Sequence, residues 1–158
     1  MYGGQRTQSV SRPIAALDCG VPIDSQYFDD ARIVNLPGLG LLALLARVEL
    51  PPQYCGVLEY FSQFTDLFSR DPSEVQTPGL LWQILANGQP LSPYHQLAMI
   101  LNPWGFGSFQ FSIRLPEGAV VEMVVRRTGD EVVPPKINMV GGRLLGRYWY
   151  DRAYGAAQ

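Results

Sequence analysis

Gly107 to Val125 reads GSFQFSIRLPEGAVVEMVV, and this stretch decides the fold. From Phe109 to Leu115 the apolar residues Phe109, Phe111, Ile113 and Leu115 alternate with Gln110, Ser112 and Arg114. Successive side chains of a strand point to opposite sides, so a period of two separates a dry face from a wet one. Pro116-Glu117-Gly118 supplies a tight turn, Pro by fixing its own φ and Gly by tolerating a positive one. Ala119 to Arg127, rich in β-branched residues, returns as a second strand. Upstream, Leu80, Trp82, Ile84 and Ala86 alternate as far as Asn87-Gly88, a pair that two-residue hairpin turns favour. The chain reads as an antiparallel β protein.

The same pattern extends in both directions. Leu42, Leu44, Ala46, Val48 and Leu50 alternate with Ala43, Leu45, Arg47 and Glu49. Pro51-Pro52 closes that strand, because neither residue can donate to a ladder. Tyr54 to Phe64 is expected to be its hairpin partner. Residues 65–79 form a loop in which Asp66, Asp71 and Glu74 are solvated; their spacing matches no calcium loop. Glu131 to Val140, with Pro134-Pro135, reads as an edge strand or a connection. Gly141-Gly142 then precedes a last strand, Arg143 to Tyr150. Seven or eight strands with a turn signal about every eight to twelve residues predict an antiparallel β-sandwich, jelly-roll-like, without helices.

Residues 1–38 behave differently from the domain over 39–158. They carry scattered apolar anchors, among them Ile14, Val21, Tyr27, Phe28 and Ile33, but no sustained period. They are too apolar for a disordered tail and too irregular for a core. An extended N-terminal arm that docks along a surface fits them, either on a neighbouring subunit or as a peripheral strand of this domain.

Composition narrows the function. Apolar residues make up 47% of the chain and charged residues only 16%, against about 25% charged in ordinary soluble domains. A surface so poor in charge is expected to be covered in an assembly. The net charge of −2 gives no electrostatic reason to bind nucleic acid. Lys136 is the only lysine beside eleven arginines, and arginine is the cation that interfaces favour. The first residues lack a signal-peptide pattern, and the apolar run Leu36 to Ala46 is too short to span a bilayer. The chain is expected to be made in a cytoplasm, with Cys19 and Cys55 as buried free thiols and a disulfide between them as the alternative.

Chemistry is hard to find. His95 is the only histidine, no GxSxG elbow is present, and one His with two distant Cys is too few for zinc. Asp29 and Asp30 are adjacent and point to opposite sides of an extended chain. No catalytic residue, cofactor or metal ligand is assigned, and no enzyme is expected. Aromatic residues offer the better lead. Trp104 and Phe106 stand among glycines in Asn102-Pro103-Trp104-Gly105-Phe106-Gly107, and tryptophan in a loop is a typical interface anchor. With Tyr2, Tyr27 and Phe28 of the arm, they are the candidate partner contacts.

Strand, Asn-Gly, strand, then LNPWG, FQFSIRLPEGAVVEMVV and a final GRLLGRYWY: this succession, over roughly Leu42 to Tyr150, resembles small β-sandwich accessory proteins of tailed bacteriophages, of the capsid cement or decoration type. The resemblance implies a virion structural protein without catalysis. It would bind between major capsid subunits, in several copies or self-associated, and would stabilise the phage head. A neck, vertex or tail position in the same virion is the first alternative. A carbohydrate-binding module using Trp104 and Tyr94 is the second.

Overall fold

The structure, a computed structural model, describes residues 21–22, 24–66, 79–91, 106–128 and 137–151, with the backbone alone for 106–111. The alternating stretches become eight strands among these residues: β1 (Gln26–Asn35), β2 (Leu42–Glu49), β3 (Tyr54–Thr65), β4 (Leu80–Ala86), β5 (Gln89–Pro90), β6 (Phe106–Leu115), β7 (Val120–Arg127) and β8 (Met139–Tyr150).

Their pairing follows one rule. β1 pairs with β8, β2 with β7, β3 with β6 and β4 with β5, all antiparallel. The chain therefore runs out through four strands and back through four, as one long ladder. That ladder is rolled, so its rungs fall alternately in two sheets, of order β1-β8-β3-β6 and β2-β7-β4-β5. Pairs β3–β8 and β4–β7 knit each sheet together. The result is a β-sandwich of jelly-roll topology.

Rolling corrects two expectations. β2 and β3 are not hairpin partners: Pro51-Pro52 carries the chain from the second sheet to the first, in a turn closed by the Tyr54 N–H on the Pro51 carbonyl at 3.1 Å. Pro116 to Gly118 likewise crosses from β6 to β7, with Gly118 at φ 64°. Alternation records which face of a strand is dry, and that face is equally satisfied by either sheet of a sandwich. Asn87-Gly88 does make a hairpin, with φ of 50° and 79° at its two residues, both positive as a type I′ turn requires.

β1 and β8 depart from the expected boundaries as well. Gln26–Asn35, read as part of an arm, is an edge strand hydrogen-bonded to β8 over its whole length. Residues 1–20 lie outside the described residues. β8 begins at Met139, so Gly141-Gly142 lies within it. A Cβ on Gly142 would stand 2.8 Å from Met123 Sδ and 2.9 Å from Leu45 Cβ, both on the second sheet. Glycine is there to let the two layers touch.

Between them lies one apolar core. Leu45, Ala46, Trp82, Ile84, Met123 and Val125 from the second sheet meet Leu58, Phe61, Val140 and Leu144 from the first, all 3% exposed or less. Each of the buried Val, Leu, Ile, Phe and Met side chains stabilises the fold by roughly 1.5–3 kcal/mol relative to exposure. On one flank the layers are also joined by a polar contact: Asp30 Oδ2 of β1 accepts the Arg47 N–H of β2 at 2.7 Å.

Candidate functional site

Period two assigns the faces of the first sheet. In β1, Phe28 and Val34 pack on the core, so Tyr27, Asp29, Ala31 and Ile33 face outward. Register carries that outward face across the sheet: Tyr27 lies opposite Arg147, Asp29 opposite Leu145, Ala31 opposite Arg143 and Ile33 opposite Gly141. In β3 the ladder shifts between Leu58 and Tyr60. That bulge changes the phase, so Cys55, Val57 and Glu59 face outward before it, and Tyr60, Ser62 and Phe64 after it.

Charges on this face satisfy one another. Arg143 donates from Nε to Asp29 Oδ1 at 2.7 Å and from Nη2 to Oδ2. The hydrogen bond from Arg143 holds the Asp29 carboxyl below its ordinary value and raises the guanidinium in turn. Arg147 donates from Nε to both Glu59 oxygens, at 3.0 and 2.9 Å, and from Nη2 to Oε1. Its guanidinium carbon lies 5.9 Å from the centre of the Tyr27 ring, within cation–π range.

Asp66, just past β3, accepts the N–H groups of Asn138 and Met139 at 2.8 and 3.1 Å. Burial pushes its carboxyl up, but those donors outweigh burial and leave it below the ordinary value. Cys55 is buried and free, its thiol pushed up by burial and then by the nearby Asp151 charge. Cys19 lies outside the described residues. Among the described residues no three His, Cys, Asp or Glu side chains gather as metal ligands would.

Beside these charges, a set of large apolar side chains is also open to solvent. Ile33, Leu39, Leu41, Leu42 and Met139 are 57%, 60%, 62%, 45% and 39% exposed. They share one end of the sandwich, because Asn35 at the end of β1 pairs with Met139 and the chain runs on through Leu39 and Leu41 into β2. That connection is fixed by the backbone: the Gly40 N–H bonds the Arg127 carbonyl at 2.9 Å, and the Arg127 N–H bonds Leu41 O at 3.1 Å. Gly40 takes φ 76° to make the bend. The leucines are thus held outward on an ordered turn.

Tyrosines gather toward the opposite end. Tyr54 has ring centroids 5.7 Å from both Tyr148 and Tyr150, and the Tyr148 hydroxyl donates to Gln26 Oε1 at 2.7 Å. Between the ends, Tyr60 rims an open hollow of about 120 Å³ with Ser62, Arg143 and Leu145. Pockets that enclose small molecules begin near about 300 Å³, so the hollow suits one protruding side chain.

Of the five residues singled out in the sequence, Tyr27 is the most exposed large hydrophobic residue described. Phe28 turns inward, and a Cβ on Gly146 would meet its Cζ at 2.5 Å; its ring serves the core. Tyr2 and Trp104 lie outside the described residues, as do Tyr94 and His95. Phe106 opens β6, its backbone opposite Phe64. Ile33 was named only as an apolar anchor of the arm, and Leu39, Leu41, Leu42 and Met139 were not named as contacts. The signal for the leucines was available: Leu39 and Leu41 flank Gly40 just before the β2 alternation begins, where no strand face can bury them.

No protein-family model matches the chain, and no curated protein matches it. Solved structures do. The crystal structure of FLHE aligns with a TM-score of 0.43 and 15% identity, over 78% of this chain and 96% of that one. The structure of infectious bursal disease virus, Gx strain, aligns with a TM-score of 0.44 and 10% identity over 82% of this chain. That alignment takes in 33% of the viral chain, so the present protein spans about a third of its length.

Proposed function

We propose that this chain is a non-enzymatic structural protein of a virion, a capsid cement or decoration protein that binds between major capsid subunits and stabilises the head. The observation that carries the reading is the apolar end formed by Ile33, Leu39, Leu41, Leu42 and Met139, displayed beside a sheet face on which Asp29 pairs with Arg143 and Glu59 with Arg147. Contiguous exposed apolar residues on a rigid scaffold mark a protein interface. Rolled eight-stranded sandwiches are common in virus shells, which is support by analogy of fold and no more.

Backbone hydrogen bonds to Arg127 hold the turn that carries the leucines, and such preorganisation favours affinity. The test is incorporation into particles. Leu39→Asp with Leu41→Asp should leave the isolated fold unchanged by circular dichroism and remove the protein from purified heads. Particles that retain the double variant at full occupancy would remove the reading. Copies spread over the shell mark cement, whereas a single ring at one vertex would move the protein to the neck.

A further inference from the structure

A jelly roll has four sheet-edge strands, and three of these carry devices that discourage further pairing. β2 is bulged between Leu44 and Ala46, and its Arg47 N–H is already taken by Asp30. β5 has two residues, the second of them Pro90. β6 loses register with β3 where Leu58 pairs with Ile113 and Tyr60 with Gln110. β1 differs. Its ten residues pair with β8 without a break, it contains no proline, and among the described residues no strand bonds its outer edge.

The β1 sequence, QYFDDARIVN, is complementary to itself when reversed about Ala31. In that register Ala31 meets Ala31 of a second copy, Asp30 meets Arg32, Phe28 meets Val34, Asp29 meets Ile33 and Tyr27 meets Asn35. Residues directly opposite in an antiparallel pair project to the same side. Phe28 and Val34 both face the core, so this register aligns the inner faces of two sandwiches. It also places two Asp–Arg pairs symmetrically about a two-fold axis. Within one chain Arg32 Nη2 lies 3.8 Å from Asp30 Oδ2, with both side chains partly exposed. Shifting the register by one residue would set inner faces against outer ones and lose the Asp30–Arg32 match.

We propose that two copies of this chain associate edge to edge through β1, antiparallel and centred on Ala31, to make one continuous eight-stranded sheet. A two-fold contact of this kind is self-complementary by construction. It joins one strand to one strand, so it is small and belongs to the weak class of interfaces. It uses β1, whose Ile33 also borders the apolar end, and it does not depend on which larger body the chain is built into.

The experiment uses the full chain in a Cys19→Ser background. Sedimentation equilibrium across the micromolar to millimolar range should show a monomer–dimer equilibrium. Arg32→Asp, which sets like charges opposite each other twice, should weaken the dimer about tenfold or more while leaving the circular dichroism spectrum unchanged. Under mild oxidation Ala31→Cys should be captured as a covalent dimer, whereas Arg32→Cys, which faces position 30 of the other copy, should not. A monomer at every concentration with no capture at position 31 would overturn the proposal. So would a dimer indifferent to Arg32→Asp, or equal capture at positions 31 and 32.

Discussion

Glu59 and Arg147 face each other on the outer side of the first sheet, with side chains only 14% and 7% exposed. Glu59 occupies the bulge of β3, so the extra residue in that strand is what aims its carboxylate at the guanidinium. Removing one partner leaves the other charge poorly solvated. Arg147→Ala or Glu59→Ala should each cost about 3 kcal/mol in urea unfolding, and Arg147→Met with Glu59→Leu should recover most of it. Additive losses in the double variant would show that the two side chains act independently.

Asp66 ties the end of β3 to the start of β8 through two backbone donors. Asp66→Ala should cost about 1–3 kcal/mol, because hydrogen bonds to a charged acceptor are lost and the donors left unpaired. Asp66→Asn keeps one acceptor oxygen and should fall between the two. Amide exchange at Asn138 and Met139 reads the loss directly.

Acid should weaken the fold through Asp29 and Asp66, whose carboxyls are both held below their ordinary value. A depressed folded-state pKa gives stability that is fully present above the unfolded value, about 3.9 for Asp, and is lost as pH falls through the lower folded value. The melting temperature should therefore hold above about pH 5 and decline below about pH 4. Asp66→Asn should flatten that decline. Asp29 is exposed and its share is screened by salt, so raising ionic strength should reduce the Asp29 part first.

Gly146 separates Phe28 from β3. A Cβ at this position would run into the Val57 carbonyl and stand 3.0 Å from Leu58 Cα. Backbone cannot give way there without parting β3 from β8, so Gly146→Ala should cost at least about 3 kcal/mol. Gly88→Ala has open space around it and suffers only from φ 79°, which should cost about 1 kcal/mol. Thermal melts of the two variants separate crowding from backbone strain.

Much of the body was legible because burial writes a period of two. β2, β4 and most of β3 and β6 follow from alternating residues, β7 from its β-branched run after the Pro116–Gly118 turn, and Asn87-Gly88 gave the hairpin. Sheet membership was not legible. Ala46 and Leu58 carry the same apolar signal whether their strands are hydrogen-bonded neighbours or lie in facing layers. β1 was read only as part of an arm or as a peripheral strand, without bounds, because Asp29, Asp30 and Arg32 interrupt its apolar pattern. Asp29 is paired outward with Arg143, and Asp30 accepts the Arg47 backbone N–H through Oδ2; neither role shows in local sequence. Of the surface, Tyr27 was found from its type and position. Ile33 was named as an arm anchor but not as a contact, and Met139 not at all, since exposure at one end of a sandwich depends on where distant parts of the chain meet.

The carboxylate of Asp30 on the Arg47 amide has a consequence for how the molecule breathes. It seals the flank where β1 meets β2, while across the molecule β5 offers two residues and a proline. Like a clam shell, the two layers should part from the β5 side while the sealed flank acts as the hinge. The amide of Arg47 should then exchange with solvent deuterium later than that of Leu91, although both are bonded at a sheet margin.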